Sequence, residues 1–196
     1  MEEIFAAEAV RERLIIAGIR ELESHGLNDF SLRRVAMACE VSCAAPYRHF
    51  KGKDELILEI VRYINGRWFL LRDQINDAFR DNAKKRLIET GVAHIRFWIA
   101  NPNFRSVLLM DDPDPDSPRL RERKLISDDL ERLIRSYCES NSIPSLQAGS
   151  IAYAYQALIY GTVLMLGNGE LENDEHTIHM IREQMERILS DRTDTK

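Results

Sequence analysis

Apolar residues recur at intervals of three and four along almost the whole of this chain, and no segment alternates them with polar residues in the two-residue rhythm of a strand. That feature confines the chain to an all-α fold of about nine helices. The first periodic stretch, residues 6–25, carries Leu14, Ile15, Gly18, Ile19 and Leu22 on one stripe, and Gly26 is placed to close it in the left-handed conformation. Ser31 is a good N-cap for a second helix over 32–39, with Leu32, Val35, Ala36 and Cys39 facing one way. Ser42 is expected to cap a third short helix over 43–49, its hydroxyl accepting from the amide of Ala44 or Ala45. Pro46 there removes only the first bond, the one its amide would have made to the Ser42 carbonyl.

Lys51-Gly52 breaks the chain before a long fourth helix over 53–79, striped by Leu56, Ile60, Ile64, Trp68, Leu71, Ile75 and Phe79, with Asp54 and Glu55 in the first turn where the helix dipole favours them. A fifth helix covers 84–100 and ends at Asn101-Pro102, and a short apolar helix follows over 104–110. The run DDPDPDSP at 111–118 reads as a solvated loop; its aspartates lack the central Gly and final Glu of a calcium loop. Further helices are expected over 119–140, 145–166 and 174–190, with Gly167-Asn168-Gly169 separating the last two.

Composition narrows the class. The residues are 44% hydrophobic and 30% charged, the balance of a folded, soluble chain. The three cysteines, Cys39, Cys43 and Cys138, are odd in number and not in a C-x-x-C spacing, which fits a reducing cytoplasm. Cys39, Cys43 and His49 are conceivable metal ligands, but small residues at a helix end explain them more cheaply, and no metal or cofactor is expected. The apolar patches look too interrupted for a membrane span, so a cytoplasmic location is expected. No G-x-G-x-x-G, G-x-S-x-G, H-E-x-x-H or phosphate loop occurs, which excludes the commonest enzyme classes.

Charge is unevenly placed. The net charge is -5, yet residues 11–53 hold eight Lys or Arg against five Asp or Glu. A basic segment on an acidic body is an electrostatic footprint of nucleic-acid binding. Within it, two short helices joined by a tight turn behind a longer supporting helix form the layout of a helix-turn-helix, whose second helix lies in the major groove.

The residues in that layout carry a resemblance. Ala17, Gly26, Val35-Ala36, Val41-Ser42, Tyr47, His49-Phe50, Lys53 and Leu56 stand at the spacing of the N-terminal DNA-binding domain of the TetR family of transcriptional regulators, which the segment 13–56 resembles. The run Y-x-H-F-x-x-K-x-x-L from Tyr47 to Leu56 is the most specific piece. The family often has Gly where Ala44 stands and an aliphatic residue where Pro46 stands. The motif-level likeness covers about residues 10–70; beyond them only helical layout and length are similar. The resemblance implies a sequence-specific, homodimeric regulator of double-stranded palindromic DNA, a repressor rather than an activator, with a DNA-binding domain at 1–52 and a helical regulatory domain at 53–196. It also implies a small organic effector acting through helix four.

Physical roles can be assigned on that layout. Tyr47 and Lys53, with the amides at the start of helix four, are suited to phosphates, which fix register without reading sequence. Arg48, Cys43 and Ala45 are candidates for the groove, with Ser42 and the small Ala44 beside them, and Arg33 and Arg34 for backbone phosphates. His49 either contacts DNA or packs the turn. One helix-turn-helix reads one half-site, so a dimer surface is required. The last two helices are the candidates, through Ile151, Tyr155, Leu158, Ile159 and Thr162 and through Ile178, Ile181, Met185 and Ile188; the alternative is that these stripes complete the subunit's own core. Trp68, His94, Phe97, Trp98, Phe104, Met110, Tyr155 and Tyr160 have the composition of a pocket for a mainly apolar ligand, and also that of a core. A helical adaptor that binds protein instead of DNA is the rival reading.

Overall fold

The structure is a computed structural model that describes residues 2–104, 112 and 114–190. Eight helices are delimited among the described residues: α1 (Glu2–His25), α2 (Leu32–Ala38), α3 (Pro46–His49), α4 (Lys53–Ala78), α5 (Ala83–Ala100), α6 (Pro118–Ser140), α7 (Ser145–Gly167) and α8 (Glu175–Ser190). The all-α reading holds, and most boundaries fall within a residue or two of the periodicity. Pro102, Asn103 and Phe104 are helical; the rest of the helix expected over 104–110 lies outside the described residues. Two compact units are present, Met1–Arg67 with Pro102–Lys124, and Trp68–Asn101 with Leu125–Lys196.

The first unit is built on α1. Leu14, Ile15, Ile19 and Leu22 are buried on its inner face, with Val35 and Ala36 of α2 and Leu56, Ile57, Ile60 and Val61 of α4 completing the core. Gly18 permits the crossing of α1 and α4: a Cβ there would lie 2.7 Å from Ile60 Cδ1. Gly26 adopts φ +68 and its amide bonds to the Leu22 carbonyl, ending α1. Ion pairs reinforce the packing. Arg11 pairs with Glu59, Glu59 with Arg62 at 2.8 Å, and Arg62 with Glu122 at 3.0 Å. The buried Asn65 amide donates to the Glu122 carbonyl at 2.8 Å.

The loop before α6 is exposed at Asp114, Pro115 and Asp116 as expected, and departs from solvation at Asp112 and Ser117. The Asp112 carboxylate is buried, accepting from the Ser117 hydroxyl at 2.7 Å and from Arg119, whose other end pairs with Asp54 at 2.8 Å. The Ser117 hydroxyl and the arginine hold the Asp112 carboxyl below its ordinary value.

The second unit is centred on α5, which packs on α7 and α8. Asn82 caps α5 by accepting from the Lys85 amide at 2.9 Å. Leu87, Ile88, Val92, Ile95 and Trp98 are buried along α5. Two features fix its contact with α7. The Tyr155 hydroxyl donates to the Leu87 carbonyl at 2.7 Å, and Gly91 has no side chain to obstruct it.

Two expectations need correction. Ile151, Tyr155, Ile159, Thr162, Ile178, Ile181 and Met185 were assigned to a surface between subunits, but all are buried within their own chain, Tyr155 and Met185 against Gly91 of α5. They are core because α7 and α8 must first cover α5; only Leu158 and Ile188 of that set are partly accessible. The expectation that no segment is apolar enough to span a membrane also fails by composition: α7 contains no charged residue, and its length and hydropathy suffice to cross one. Its inner face lies in the core. Its outer face exposes Leu146 at 87%, Tyr153 at 77%, Leu164 at 50% and Tyr160 at 44%.

Packing at Gly91 makes a prediction. A Cβ there would lie 2.7 Å from the Tyr155 hydroxyl and 2.6 Å from Met185 Cε. Gly91→Ala therefore destabilises the fold by about 1–2 kcal/mol, overpacking outweighing the roughly 1 kcal/mol that alanine gains in helix propensity. Urea denaturation shows it as a lower midpoint at unchanged slope.

Candidate nucleic-acid interface

The turn between α2 and α3 is set by backbone geometry and anchored to α1. Ser31 caps α2 as expected, its hydroxyl accepting from the Arg34 amide at 3.4 Å. At the other end Glu40 takes φ 56, and the Val41 amide donates back to the Ala36 carbonyl at 3.1 Å. Arg13 of α1 donates to the Cys39 carbonyl, and the Cys39 thiol donates to the Arg13 carbonyl at 3.3 Å. Burial raises the Cys39 thiol pKa, so this cysteine is a structural donor rather than a reactive thiolate. Among the described residues no group of three or more His, Cys, Asp or Glu is placed to hold a metal.

The third helix is shorter than expected. It covers Pro46–His49, with Ala45 as its N-cap and no side-chain cap bond, so the assignment of Ser42 as its cap is corrected. Pro46 has no amide to offer the Ser42 carbonyl, which accepts from the Ala45 amide at 2.9 Å in a turn instead. The helical ladder therefore begins at the proline, at the position where a missing donor costs least.

This geometry places the expected residues on two levels. Ser42, Cys43, Ala44, Tyr47 and Arg48 are exposed, Tyr47 at 62%. Ala45 and His49 are half-buried, and Pro46 and Phe50 lie in the core beneath them. Arg11 stacks over the Phe50 ring at 5.5 Å. Arg33, on α2, is exposed. Lys53 is half-buried, its ammonium 3.5 Å from the Asn28 carbonyl, so it stands at the rim.

Two expected phosphate contacts look different in the structure. Arg34 is engaged inside the chain: Nε donates to Glu21 at 2.7 Å, a second nitrogen approaches Glu21 at 2.6 Å, and the guanidinium also donates to the Asp29 carbonyl. Reaching a phosphate would strip the buried Glu21 carboxylate of its counter-ion, so Arg34 holds the corner between α1 and α2. At the start of α4, Glu55 accepts from the Lys51 amide, so a carboxylate already occupies one amide expected to be open to phosphate.

Periodicity missed Glu21, the residue at the centre of this corner. It is 7% exposed and accepts from the Ser31 amide at 3.0 Å as well as from Arg34. Burial pushes its carboxyl pKa up, but the Arg34 hydrogen bond, the Ser31 amide and the positive charges together outweigh burial and lower it. An acid on the apolar stripe of α1, three residues after Gly18, was the available signal.

In the second unit the aromatic residues expected to line a pocket are gathered together. The Trp68 and His94 rings lie 4.7 Å apart, Trp68 and Phe97 5.6 Å, His94 and Trp98 6.0 Å, and His94 and Tyr160 6.5 Å. Burial lowers the His94 pKa to about 3, so its imidazole is neutral. Tyr155 has its hydroxyl committed to Leu87, Phe104 belongs to the first unit, and Met110 lies outside the described residues.

With this geometry in place, the comparisons identify the class. Residues 14–60 match the family described as bacterial regulatory proteins, tetR family. Over those residues the chain is similar to the N-terminal domain of that family. The chain is 25% identical over 179 residues to YerO, an HTH-type transcriptional regulator of Bacillus subtilis strain 168, covering 86% of the chain and 60% of the relative's length. Similar folds occur in MexZ, a repressor of Pseudomonas aeruginosa (TM-score 0.74, 22% identity, covering 94% of this chain and 97% of that one). They also occur in FadR of Bacillus subtilis, solved in complex with stearoyl-CoA (TM-score 0.70, 14% identity, covering 91% and 97%).

The corner and the exposed surface separate by mutation. Glu21→Ala is expected to cost about 1–3 kcal/mol of stability by leaving the Ser31 amide and Arg34 without their acceptor, whereas Arg33→Ala leaves stability unchanged. Because the folded-state pKa of Glu21 is depressed, its contribution is present above the ordinary carboxylate value of 4.5 and lost as pH falls through the folded value. The gap between wild type and Glu21→Ala in denaturant melts should therefore narrow in acid.

Proposed function

We propose that this protein is a homodimeric repressor that binds a palindromic operator and is released by a small, mainly apolar organic molecule. The observation that carries the reading is the outward segment from Ser42 to Arg48, held rigid by the α1 anchors and a buried Pro46 and Phe50. In this reading residues 1–52 form the DNA-binding domain and 53–196 the regulatory domain, with α4 as the link between them. Arg48, Cys43, Ala44 and Ala45 face the major groove, Ser42 and His49 flank them, and Tyr47, Arg33 and Lys53 grip phosphates. A DNA target places the protein in the cytoplasm.

Dimerisation is argued from α7. A helix apolar on all sides is normally covered on all sides. The inner face of α7 is covered by α5 and α8, while Leu146, Tyr153, Ala157, Tyr160 and Leu164 point outward in steps of three to seven residues. A groove of about 480 Å³ lies at its N-terminal end, lined by Leu146, Ile151, Ala154 and Ile188 among others. A second copy of α7 and α8 laid against this face gives a four-helix bundle across a two-fold axis. That MexZ is a repressor with a similar fold favours repression over activation.

Selection of the purified protein against random duplex DNA tests the reading: a palindrome bound by one dimer is expected. Lys53→Ala should weaken binding to all sequences alike and reduce the salt slope by about one. Arg48→Ala should relax preference at one symmetric position, a loss of about 1–3 kcal/mol if it reads a base. Tyr153→Glu should yield a folded monomer by light scattering and abolish operator binding. Failure of any palindrome to enrich would overturn the DNA-reading role, and a Tyr153→Glu variant that remained dimeric would overturn the proposed interface.

A further inference from the structure

In the second unit, Trp68 Nε1, His94 Nδ1 and Trp98 Nε1 of the aromatic cluster, and Thr90 Oγ1 one turn before His94 on α5, are buried without a hydrogen-bond partner among the described residues. Buried polar atoms are nearly always paired, so one orphan is uncommon and four along one stretch of the second unit call for a reason. Thr90, His94 and Trp98 occur at intervals of four along α5, which stacks them on one face, and Trp68 of α4 lies against His94 with ring centroids 4.7 Å apart. All four side chains are at most 2% exposed.

Their chemistry is asymmetric. An indole N–H donates and cannot accept, so the two tryptophans supply two fixed donors. Thr90 and a neutral imidazole can each act as donor or acceptor. Burial is the only influence shifting His94, and no charged neighbour contributes. The four side chains are therefore fixed donors and adaptable groups, none of them charged, and the charge that acts at the edge of the cluster is the Asp128 carboxylate beside Tyr160. An anion brought here would be buried without a partner of opposite charge among the four, and a cation would find no acceptor on the two indoles. A pure hydrocarbon would leave both indoles unpaired.

We propose that Trp68, Thr90, His94 and Trp98 select an uncharged effector: an apolar, aromatic-sized body bearing a neutral oxygen acceptor, such as a ketone, ester or quinone carbonyl, that takes hydrogen bonds from the two indoles. The proposal rests on the ligand-controlled reading above and names the chemical class that the site accepts. Stacking of the ligand body on Trp68, Phe97 and Trp98 supplies affinity, and the carbonyl supplies orientation.

The test uses four probes of nearly one shape: 2-ethylnaphthalene, 2-acetonaphthone, 2-naphthoate and 2-naphthylmethylammonium. Each is titrated into the purified 196-residue chain by calorimetry, and operator release is measured in parallel. The expected order is acetonaphthone first, with ethylnaphthalene about 10-fold weaker and the two ions weaker still. Trp98→Phe, which keeps the ring and removes the donor, should lower acetonaphthone affinity about 10-fold and leave ethylnaphthalene unchanged. Retained ethylnaphthalene binding shows that the variant is folded. Naphthoate binding as tightly as acetonaphthone would overturn the neutral class while leaving ligand control intact. Ethylnaphthalene equal to acetonaphthone would overturn the role of the indoles. If none of the four binds at millimolar concentration, the ligand-controlled reading itself fails, and the class with it.

Discussion

The angle between α1 and α2 depends on one buried carboxylate. Glu21 receives the Ser31 amide, which starts α2, and the Arg34 side chain one turn later, so a single acid fixes both the origin and the direction of the second helix. A helix as short as α2 has no independent stability. Its orientation comes from this corner, from Val35 and Ala36 in the core, and from the Arg13 and Cys39 exchange at its far end. The outward surface of Ser42 to Arg48 is only as rigid as these supports. In the proposed DNA-binding reading, phosphate and base contacts require placement to within a fraction of an ångström, a use for a semi-buried ion pair even though such pairs add little net stability.

How much of this was legible in the chain depended on range. Local signals were reliable: the Gly26 terminator, the Ser31 cap and the 3.6-residue stripes gave the helices nearly as observed. Signals requiring a distant partner were not. Arg34 reads as a free arginine until Glu21, thirteen positions earlier, is seen beside it. Glu40 reads as an ordinary polar residue, yet it occupies a left-handed turn position more commonly filled by Gly or Asn. Pro46 was read correctly as removing the bond to Ser42, but the consequence, a helix that begins at the proline, was underestimated.

The misassigned stripe on α7 has a different cause. Periodicity identifies a face only when the opposite face is polar. From Ser145 to Gly167 the helix has no charged residue, so the 3.6-residue rhythm cannot say which side faces α5 and which faces outward. The Tyr155 hydroxyl resolves it by reaching the Leu87 carbonyl, and this turns Leu146, Tyr153, Ala157 and Leu164 out. The same lack of polarity that made the stripe ambiguous is what calls for a second apolar surface against it.

The cluster around His94 poses the opposite problem, polarity where the fold does not need it. An unpaired buried donor costs about 1–3 kcal/mol. Phenylalanine at positions 68 and 98 would keep most of the ring contacts with Phe97 and His94 and carry no donor to satisfy. Packing therefore explains large aromatic rings at these two positions but not indole rings. Thr90 poses the same question, since valine has nearly its shape without the hydroxyl. Stability alone would favour the apolar choice at each of the three. Donors at these positions are favoured if a group that is not part of the chain bonds to them, and in the proposed reading that group is a neutral acceptor.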